Sequence, residues 1–296
     1  MTNKIFPEIT EIKMNAYAKI NLFLDITGVL PNGYHSLNNI MQQIELHDEV
    51  TIKLSDLSGK KGIKISCDNP QIPADNKNIA YKAARLFAEE TGLSAEISID
   101  IKKNIPVMAG LGGSSTDGAA VLKGLNRLCG DSFTNSQLEA MGAGLGADVP
   151  FCIKGNTAYC KGIGEKMEDI KGLRDCFILI IKPDFSCNTA DAYKLYDKSP
   201  VKSVGEPDNL LPALRLKNFE QIGKGLYNVF EILYQDNRIE KIKSELLAHK
   251  AFGAALSGSG SAVCGLFEKE EELRLAFSKL KYPHKFMTKP VFSIEK

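Results

Sequence analysis

The stretch Ala109-Gly-Leu-Gly-Gly-Ser-Ser-Thr-Asp-Gly-Ala-Ala120 lies between an alternating segment, Ala95 to Lys102, and a segment that puts Val121, Leu125, Leu128 and Cys129 on one side. The two periodicities predict a strand, a loop and a helix in that order. Gly110, Gly112 and Gly113 allow the backbone to approach an anion closely, and the free N–H groups and dipole at the start of a helix favour negative charge there. A phosphate cradle is the functional reading, and a flexible Gly-rich turn is the plain one. No Gly-Lys-Ser/Thr ends the loop, as a Walker motif requires. Nor does an acidic residue close a following strand about 20 residues on, as a dinucleotide fingerprint requires.

Outward from this loop the chain alternates strand and helix signals. Asn15-Ala-Tyr-Ala-Lys-Ile-Asn-Leu-Phe-Leu-Asp25 alternates, with Tyr17, Lys19 and Asn21 on one face and Ala18, Ile20 and Leu22 on the other. Strands are expected at Glu49 to Leu54 and Ile63 to Cys67, then a helix carrying Ile79, Ala83, Leu86 and Phe87 and stopped by Gly92. Thr134 or Asn135 can cap a further helix that ends near Gly144 to Gly146, and a strand is expected to begin at Ala147-Asp-Val-Pro150. After Gly155 the pattern changes. Phe177 to Ile181 reads as an apolar strand, with a helix from about Thr189, a connector at Ser199 to Asn209, and two helices to His249. A strand at Ala251 to Leu256, the small-residue loop Ser257 to Ser261, a strand to Phe267 and a charged helix at Lys269 to Leu280 complete the reading.

Composition narrows the classes. The chain has 296 residues, 44% hydrophobic and 25% charged, which suits one large or two ordinary globular domains. Its 37 basic and 36 acidic residues cancel almost completely, so no global field attracts nucleic acid or an anionic membrane. No apolar run approaches the length of a membrane span, and Met1 to Glu8 lacks a signal core, so a cytoplasmic protein is expected. The seven cysteines include no Cys-x-x-Cys pair and the four histidines no i, i+4 pair, which argues against a disulfide framework and a structural metal centre.

Two isolated residues bear on chemistry. Lys19 interrupts an apolar strand, where a lysine is ordinarily a solvated edge residue. Asp148, between Gly146-Ala147 and Val149-Pro150, has the surroundings of an ordinary turn aspartate. Together with an anion-binding loop they form the set that phosphoryl transfer needs: a cradle, a cation and a carboxylate near the acceptor hydroxyl.

Three segments then resemble, in order and spacing, the motifs of the galactokinase, homoserine kinase, mevalonate kinase and phosphomevalonate kinase (GHMP) superfamily. They are Asn15 to Asp25 with Asn32-Gly-Tyr-His35, Pro106 to Ala120, and Ala255-Leu-Ser-Gly-Ser-Gly260. Gly33-Tyr-His35, with Leu145-Gly-Ala-Asp-Val-Pro-Phe151, narrows the resemblance to the branch that phosphorylates a cytidine diphosphate-linked methylerythritol in the non-mevalonate route to isoprenoids. The resemblance implies an α+β, two-domain fold. A domain like domain 2 of ribosomal protein S5 is expected over 1–155 and a ferredoxin-like α/β domain over 156–296, with the active site in the cleft between them.

By the same resemblance Lys19 and Asp148 are the catalytic pair, Asp148 taking the proton of the 2-hydroxyl. Gly110, Leu111, Gly112, Gly113, Ser114, Ser115 and Thr116 wrap the ATP phosphates, with Pro106 and Ala109 at the loop entrance. Asn78 and Lys103 fall where the family binds adenine or phosphate, with Asn76 an alternative to Asn78. Tyr34 and Tyr193 are implied to sandwich a cytosine ring and His35 to bond its edge, while Asn21 and Thr189 contact the erythritol phosphate region. Read from the residues alone, Tyr193 is a core aromatic of a helix before it is a ligand, and His35 caps the turn after Gly33. ATP and Mg2+ are the implied cofactors, with the metal ligands left open, and a monomer or homodimer acting on a small molecule is the implied state.

One departure is visible. The family loop reads Gly-Leu-Gly-Gly-Gly-Ser-Ser, and here Ser114 stands at the third consecutive glycine. If that position needs positive φ, the serine costs about 1 kcal/mol. A sister kinase for homoserine or mevalonate would keep the ATP loop without Gly33-Tyr-His35. A non-catalytic S5-like RNA-binding module would show a basic stripe, which the charge balance disfavours.

Overall fold

The computed structural model of the chain describes residues 9–31, 33–55, 62–201, 203–234 and 237–292; Asn32 of the Asn-Gly-Tyr-His element and residues 1–8 lie outside them. The chain divides into two compact units. The first comprises residues up to 18, 47–105 and 113–154, and the second 19–46, 106–112 and 155 onward. The last of these boundaries falls where the sequence pattern changes. Residues 19–46 and 106–112, expected in the N-terminal domain, group with the later part of the chain.

In the first unit, strands β1 (Ile9–Val29) and β2 (His35–Ser55) contribute their outer portions, joined by β3 (Gly62–Cys67), α1 (Ile79–Thr91), β4 (Glu96–Lys102), α2 (Gly113–Leu128), α3 (Asn135–Ala143) and α4 (Val149–Lys154). β4 runs antiparallel to β2, with Val50 opposite Ile101, and parallel to β3, with Ile63 opposite Ile97. Period-two patterning sends Ile97, Ile99 and Ile101 of β4 and Val50, Ile52 and Leu54 of β2 into the interior. α2 lies hard against this face because Gly124 has no side chain: a Cβ there would meet Ile52 Cδ1 at 2.3 Å. α1 starts at an Asn78 cap and ends at Gly92 in the left-handed region, where glycine is unstrained. Its Phe87 is fully buried edge-on to Phe133, a side chain whose burial contributes about 2 to 3 kcal/mol. Of the two caps expected for α3, Thr134 and not Asn135 opens it, in a capping box with Gln137.

The expected strand at Ala147 to Pro150 is a helix, α4. Pro150 is its second residue, a first-turn position where the missing N–H has no intrahelical partner to lose. Apolar patterning over so short a run cannot separate strand from helix.

The second unit holds β5 (Thr157–Gly162), β6 (Lys166–Asp169), β7 (Phe177–Lys182), α5 (Thr189–Asp197), α6 (Leu210–Leu216), α7 (Phe219–Gly225), β8 (Tyr227–Asn228), α8 (Val229–Leu233), α9 (Asn237–Ala248), β9 (Gly253–Leu256), β10 (Val263–Phe267), α10 (Glu270–Lys279) and β11 (His284–Thr288). β11, β7, β10 and β9 form an antiparallel sheet in that order, with Phe267 opposite Phe177 and Val263 opposite Leu256. Leu179 and Ile181 of this sheet pack with Ile239, Ile242 and Leu246 of α9 and Leu273 of α10 around one core, which also takes Leu24 and Ile26 of β1. β5 pairs with the first half of β2, and β8 runs parallel to β1 at Phe23 and Leu24. The two helices expected before His249 are four short ones among the described residues. Asn218 and Asn228, each capping a new helix, break the run. Among the described residues no helix is long and apolar enough to cross a membrane, and no disulfide joins the cysteines.

Candidate active site

In the second unit the site grows from one face of β1. Residues i and i+2 of a strand share a face, so Lys19 and Asn21 sit side by side, both buried, and Lys19 Nζ donates to Asn21 Oδ1 at 2.9 Å. Lys19 is 4% exposed, which overturns the solvated-edge reading. The Asn21 carboxamide is a hub. Its Oδ1 also accepts from the Gly258 N–H at 2.7 Å, and its Nδ2 donates to Asn39 Oδ1 at 2.8 Å.

The Gly110–Gly112 half of the loop threads between β1 and the turn that follows β9. Lys19 N–H donates to the Leu111 carbonyl at 3.0 Å and Ser257 Oγ to the Gly110 carbonyl at 2.9 Å. Two glycines are obligatory here. Gly110 has φ +75° and a Cβ on it would lie 2.0 Å from the Ser257 carbonyl oxygen; Gly112 has φ +73° and its Cβ would meet Lys19 Cγ at 3.0 Å. Ala109, at the entrance, is buried and accepts from Ala262 N–H at 3.1 Å, while Pro106 is half-buried.

Thr189, the first residue of α5, shares a 2.9 Å hydrogen bond with Ser259, so Asn21 and Thr189 hold the same Ser257–Ser259 turn. One turn further on, the Tyr193 ring lies 4.7 Å from the His35 ring at 36°, and His35 Nε2 is 2.7 Å from Asp197 Oδ1. The fold thus brings His35 and Tyr193 together, with Asp197 fixing the imidazole. Tyr34 beside them is 61% exposed. Behind this cluster, buried Asp25 Oδ2 accepts from Ser203 Oγ at 2.6 Å and Val204 N–H at 2.8 Å, anchoring the connector after α5. Asp197 and Asn39 escaped the sequence reading, since only a sheet partner or a distant helix gives them a role, whereas Ser257 lies in the motif Ala255 to Gly260 that the sequence singled out.

In the first unit, Gly113, Ser114, Ser115 and Thr116 form the opening turn of α2. Ser114 therefore has helical backbone, and the strain expected from positive φ does not exist; the positions that need positive φ in this loop, Gly110 and Gly112, have kept glycine. Thr116 Oγ1 donates to the Tyr17 carbonyl at 2.7 Å and is buried, which leaves Ser114 and Ser115 as the more accessible hydroxyls. Ser115 Oγ lies 3.9 Å from a Cβ built on Gly146, so this turn approaches the segment that ends in Asp148. Asp148 is half-buried and immediately precedes α4, its carbonyl accepting from Cys152 N–H at 3.0 Å. Ser114→Gly is accordingly expected to bring no gain in affinity for a non-hydrolysable ATP analogue. A modest loss of thermal stability, up to about 1 kcal/mol, should accompany it, measured by calorimetry.

Two ATP-site expectations meet a different geometry. Asn78 is committed to α1: its Oδ1 accepts from Ala80 N–H at 2.9 Å and its Nδ2 donates to the Pro73 carbonyl at 2.8 Å, while Asn76 is exposed. Lys103 is not a free phosphate ligand. Its ammonium is buried against Asp117 Oδ2 at 2.7 Å and against Asp48, and these carboxylates outweigh burial to hold it above the usual lysine range. A cation with two carboxylate partners was invisible in a sequence where Asp48 and Asp117 lie 55 and 14 residues away. Among the described residues no three His, Cys, Asp or Glu side chains converge on a metal position.

Residues 78–156 match the family described as GHMP kinases N terminal domain, and residues 210–284 the one described as GHMP kinases C terminal. The chain is 39% identical over 272 residues to a 4-diphosphocytidyl-2-C-methyl-D-erythritol kinase of Clostridium tetani, covering 91% of this chain and 96% of that one. It is 41% identical over 282 residues to the like-named kinase of Clostridium botulinum, covering 94% and 99%. Among solved structures, a 4-(cytidine 5'-diphospho)-2C-methyl-D-erythritol kinase superposes with TM-score 0.78 at 26% identity, over 95% of this chain and 100% of the other. A homoserine kinase from Cytophaga hutchinsonii, at 18% identity, shares the fold with TM-score 0.72 over 98% and 97% of the two chains.

Proposed function

Because this chain belongs to the GHMP kinases, and within them to the 4-diphosphocytidyl-2-C-methyl-D-erythritol kinases, we propose that it transfers the γ-phosphoryl group of ATP to the 2-hydroxyl of 4-diphosphocytidyl-2-C-methyl-D-erythritol, a step of non-mevalonate isoprenoid synthesis. It is an ATP-dependent kinase. The observation that carries the choice of acceptor is the aromatic cluster of His35 and Tyr193, locked by Asp197, beside exposed Tyr34.

In this mechanism the Gly110 to Ser115 loop binds the ATP phosphates through its N–H groups and the start of α2. Asp148 accepts the proton of the 2-hydroxyl as its oxygen bonds the γ-phosphorus, and the bond from that phosphorus to the β–γ bridging oxygen breaks to release ADP. Lys19 supplies positive charge where negative charge shifts during transfer. Tyr34 and Tyr193 stack on the cytosine, and Asn21 and Thr189 orient the alcohol. The Mg2+ that accompanies ATP finds no three-residue donor set among the described residues and would ride on the nucleotide's own phosphates.

An ATPase-coupled assay comparing the cytidine diphosphate-linked alcohol with homoserine and mevalonate tests the proposal, with turnover expected for the first alone. In the same assay Tyr34→Ala removes a stacking platform worth about 1 to 3 kcal/mol and should raise the acceptor KM roughly ten- to a hundred-fold, leaving the ATP KM unchanged. Equal kcat/KM for an acceptor without a base would hand the site to a sister kinase activity.

A further inference from the structure

Asp48 and Asp117 have no part in the mechanism above, yet they are 0% and 2% exposed and share one cation. Lys103 Nζ is 2.7 Å from Asp117 Oδ2 and bonded to Asp48 Oδ2, and Asp48 Oδ1 takes the N–H groups of Asn104 and Ile105 at 2.6 and 2.8 Å. Asp117 Oδ1 is buried without a hydrogen-bond partner. The cluster sits against the phosphate-loop end of α2: a Cβ built on Gly113 would lie 3.4 Å from Lys103 Nζ, and Gly113 and Asp117 are one helical turn apart. One ammonium thus spans the first turn of α2 and is tied, through Asp48, to the chain leaving β4.

The charge count is odd. Two carboxylates and one ammonium leave a single negative charge, buried beneath the turn whose N–H groups are assigned to phosphate, unless one carboxylate holds a proton. Burial pushes Asp117 up to about 7, Lys103 opposing and Asp48 assisting. The other groups around it are known. The end of β3 brings Cys67 and Asp68, whose Oδ1 accepts from Lys103 N–H at 2.9 Å, and β2 brings His47, edge-on to Tyr17. α1 places Ile79 against Gly118, and Lys123, further along α2, is bonded to the Ile153 carbonyl of α4.

We propose that Asp117, held by Lys103 and Asp48, is a positioning residue for the nucleotide, setting both the geometry of the first turn of α2 and the charge beneath it. The proposal rests on reading Gly110 to Ser115 as the ATP phosphate site. With Asp117 protonated the cluster is neutral and the turn receives phosphate well. With Asp117 ionised it is net negative and repels phosphate, so ATP affinity falls as pH rises through neutrality.

The test is titration calorimetry of a non-hydrolysable ATP analogue from pH 6 to 8.5 on wild type, Asp117→Asn and Asp117→Ala, with acceptor kinetics in parallel. Wild-type affinity is expected to fall roughly three- to tenfold across this range, relative to Asp117→Asn, which stays neutral and still accepts from Lys103. The analogue's own ionisation is common to both proteins and cancels in that ratio. Asp117→Ala, which leaves Lys103 on Asp48 alone and unties it from the first turn of α2, should bind weakly at every pH, and the acceptor KM should not follow pH differently in any variant. Parallel pH curves for wild type and Asp117→Asn would overturn the proposal, as would a flat wild-type profile should the variants fail to fold. A wild type that phosphorylates the acceptor while showing parallel curves leaves the kinase reading standing; one that binds no nucleotide removes both.

Discussion

Asp148→Asn is expected to lower kcat by roughly 10² to 10⁴ while the affinity for an ATP analogue stays within a few fold. A general base acts in the transition state, so its loss appears in turnover and not in ground-state binding. The substitution keeps the shape of the side chain. It also preserves the start of α4, where Asp148 precedes Val149 and its carbonyl accepts from Cys152 N–H at 3.0 Å, because asparagine serves as well as aspartate at a helix N-terminus. A folded Asp148→Asn protein with wild-type kcat would show that the acceptor loses its proton elsewhere.

Lys19→Met should cost on the order of 3 kcal/mol of transition-state stabilisation, or about a hundredfold in kcat. Methionine fills nearly the same volume, and Asn21 Oδ1 retains the Gly258 N–H, so the turn after β9 keeps its anchor. Thermal stability measured beside turnover separates the two roles. Retained stability with lost turnover is expected, whereas retained turnover would confine Lys19 to holding Asn21. Lys19→Arg should not restore activity, because a longer, planar guanidinium does not put a compact point charge where the buried ammonium donates to Asn21 Oδ1 at 2.9 Å.

The two halves of the loop are held in different ways: in the second unit Gly110 is clamped by the Ser257 turn, and in the first unit Gly113 onward is the opening turn of α2, set against a buried ion cluster. The first half needs glycine at 110 for space against the Ser257 carbonyl, and at both 110 and 112 for positive φ. The second half is ordinary helix, and for that reason the serine at 114 is accommodated where the family loop has glycine.

Much of this was legible in the residues. Alternation in Asn15 to Asp25 and in Ala95 to Lys102, the glycines of the loop, the Thr134 cap and the apolar strand at Phe177 are local signals, set by chain periodicity and by which residues can take positive φ or cap a helix. The loop, Lys19, Asp148 and Gly33-Tyr-His35 together sufficed for the family. Only the tertiary structure decided what each polar group is bonded to. It turned Asn78 into a helix cap and buried Thr116 on the Tyr17 carbonyl. It paired Lys103 with Asp48 and Asp117, and made a helix of the segment after Asp148. The reason is the range of the interactions. Backbone propensity acts within a few residues, whereas burial removes water from groups that the fold brings together across tens or hundreds of residues, and a polar group without water must take whichever partner lies there.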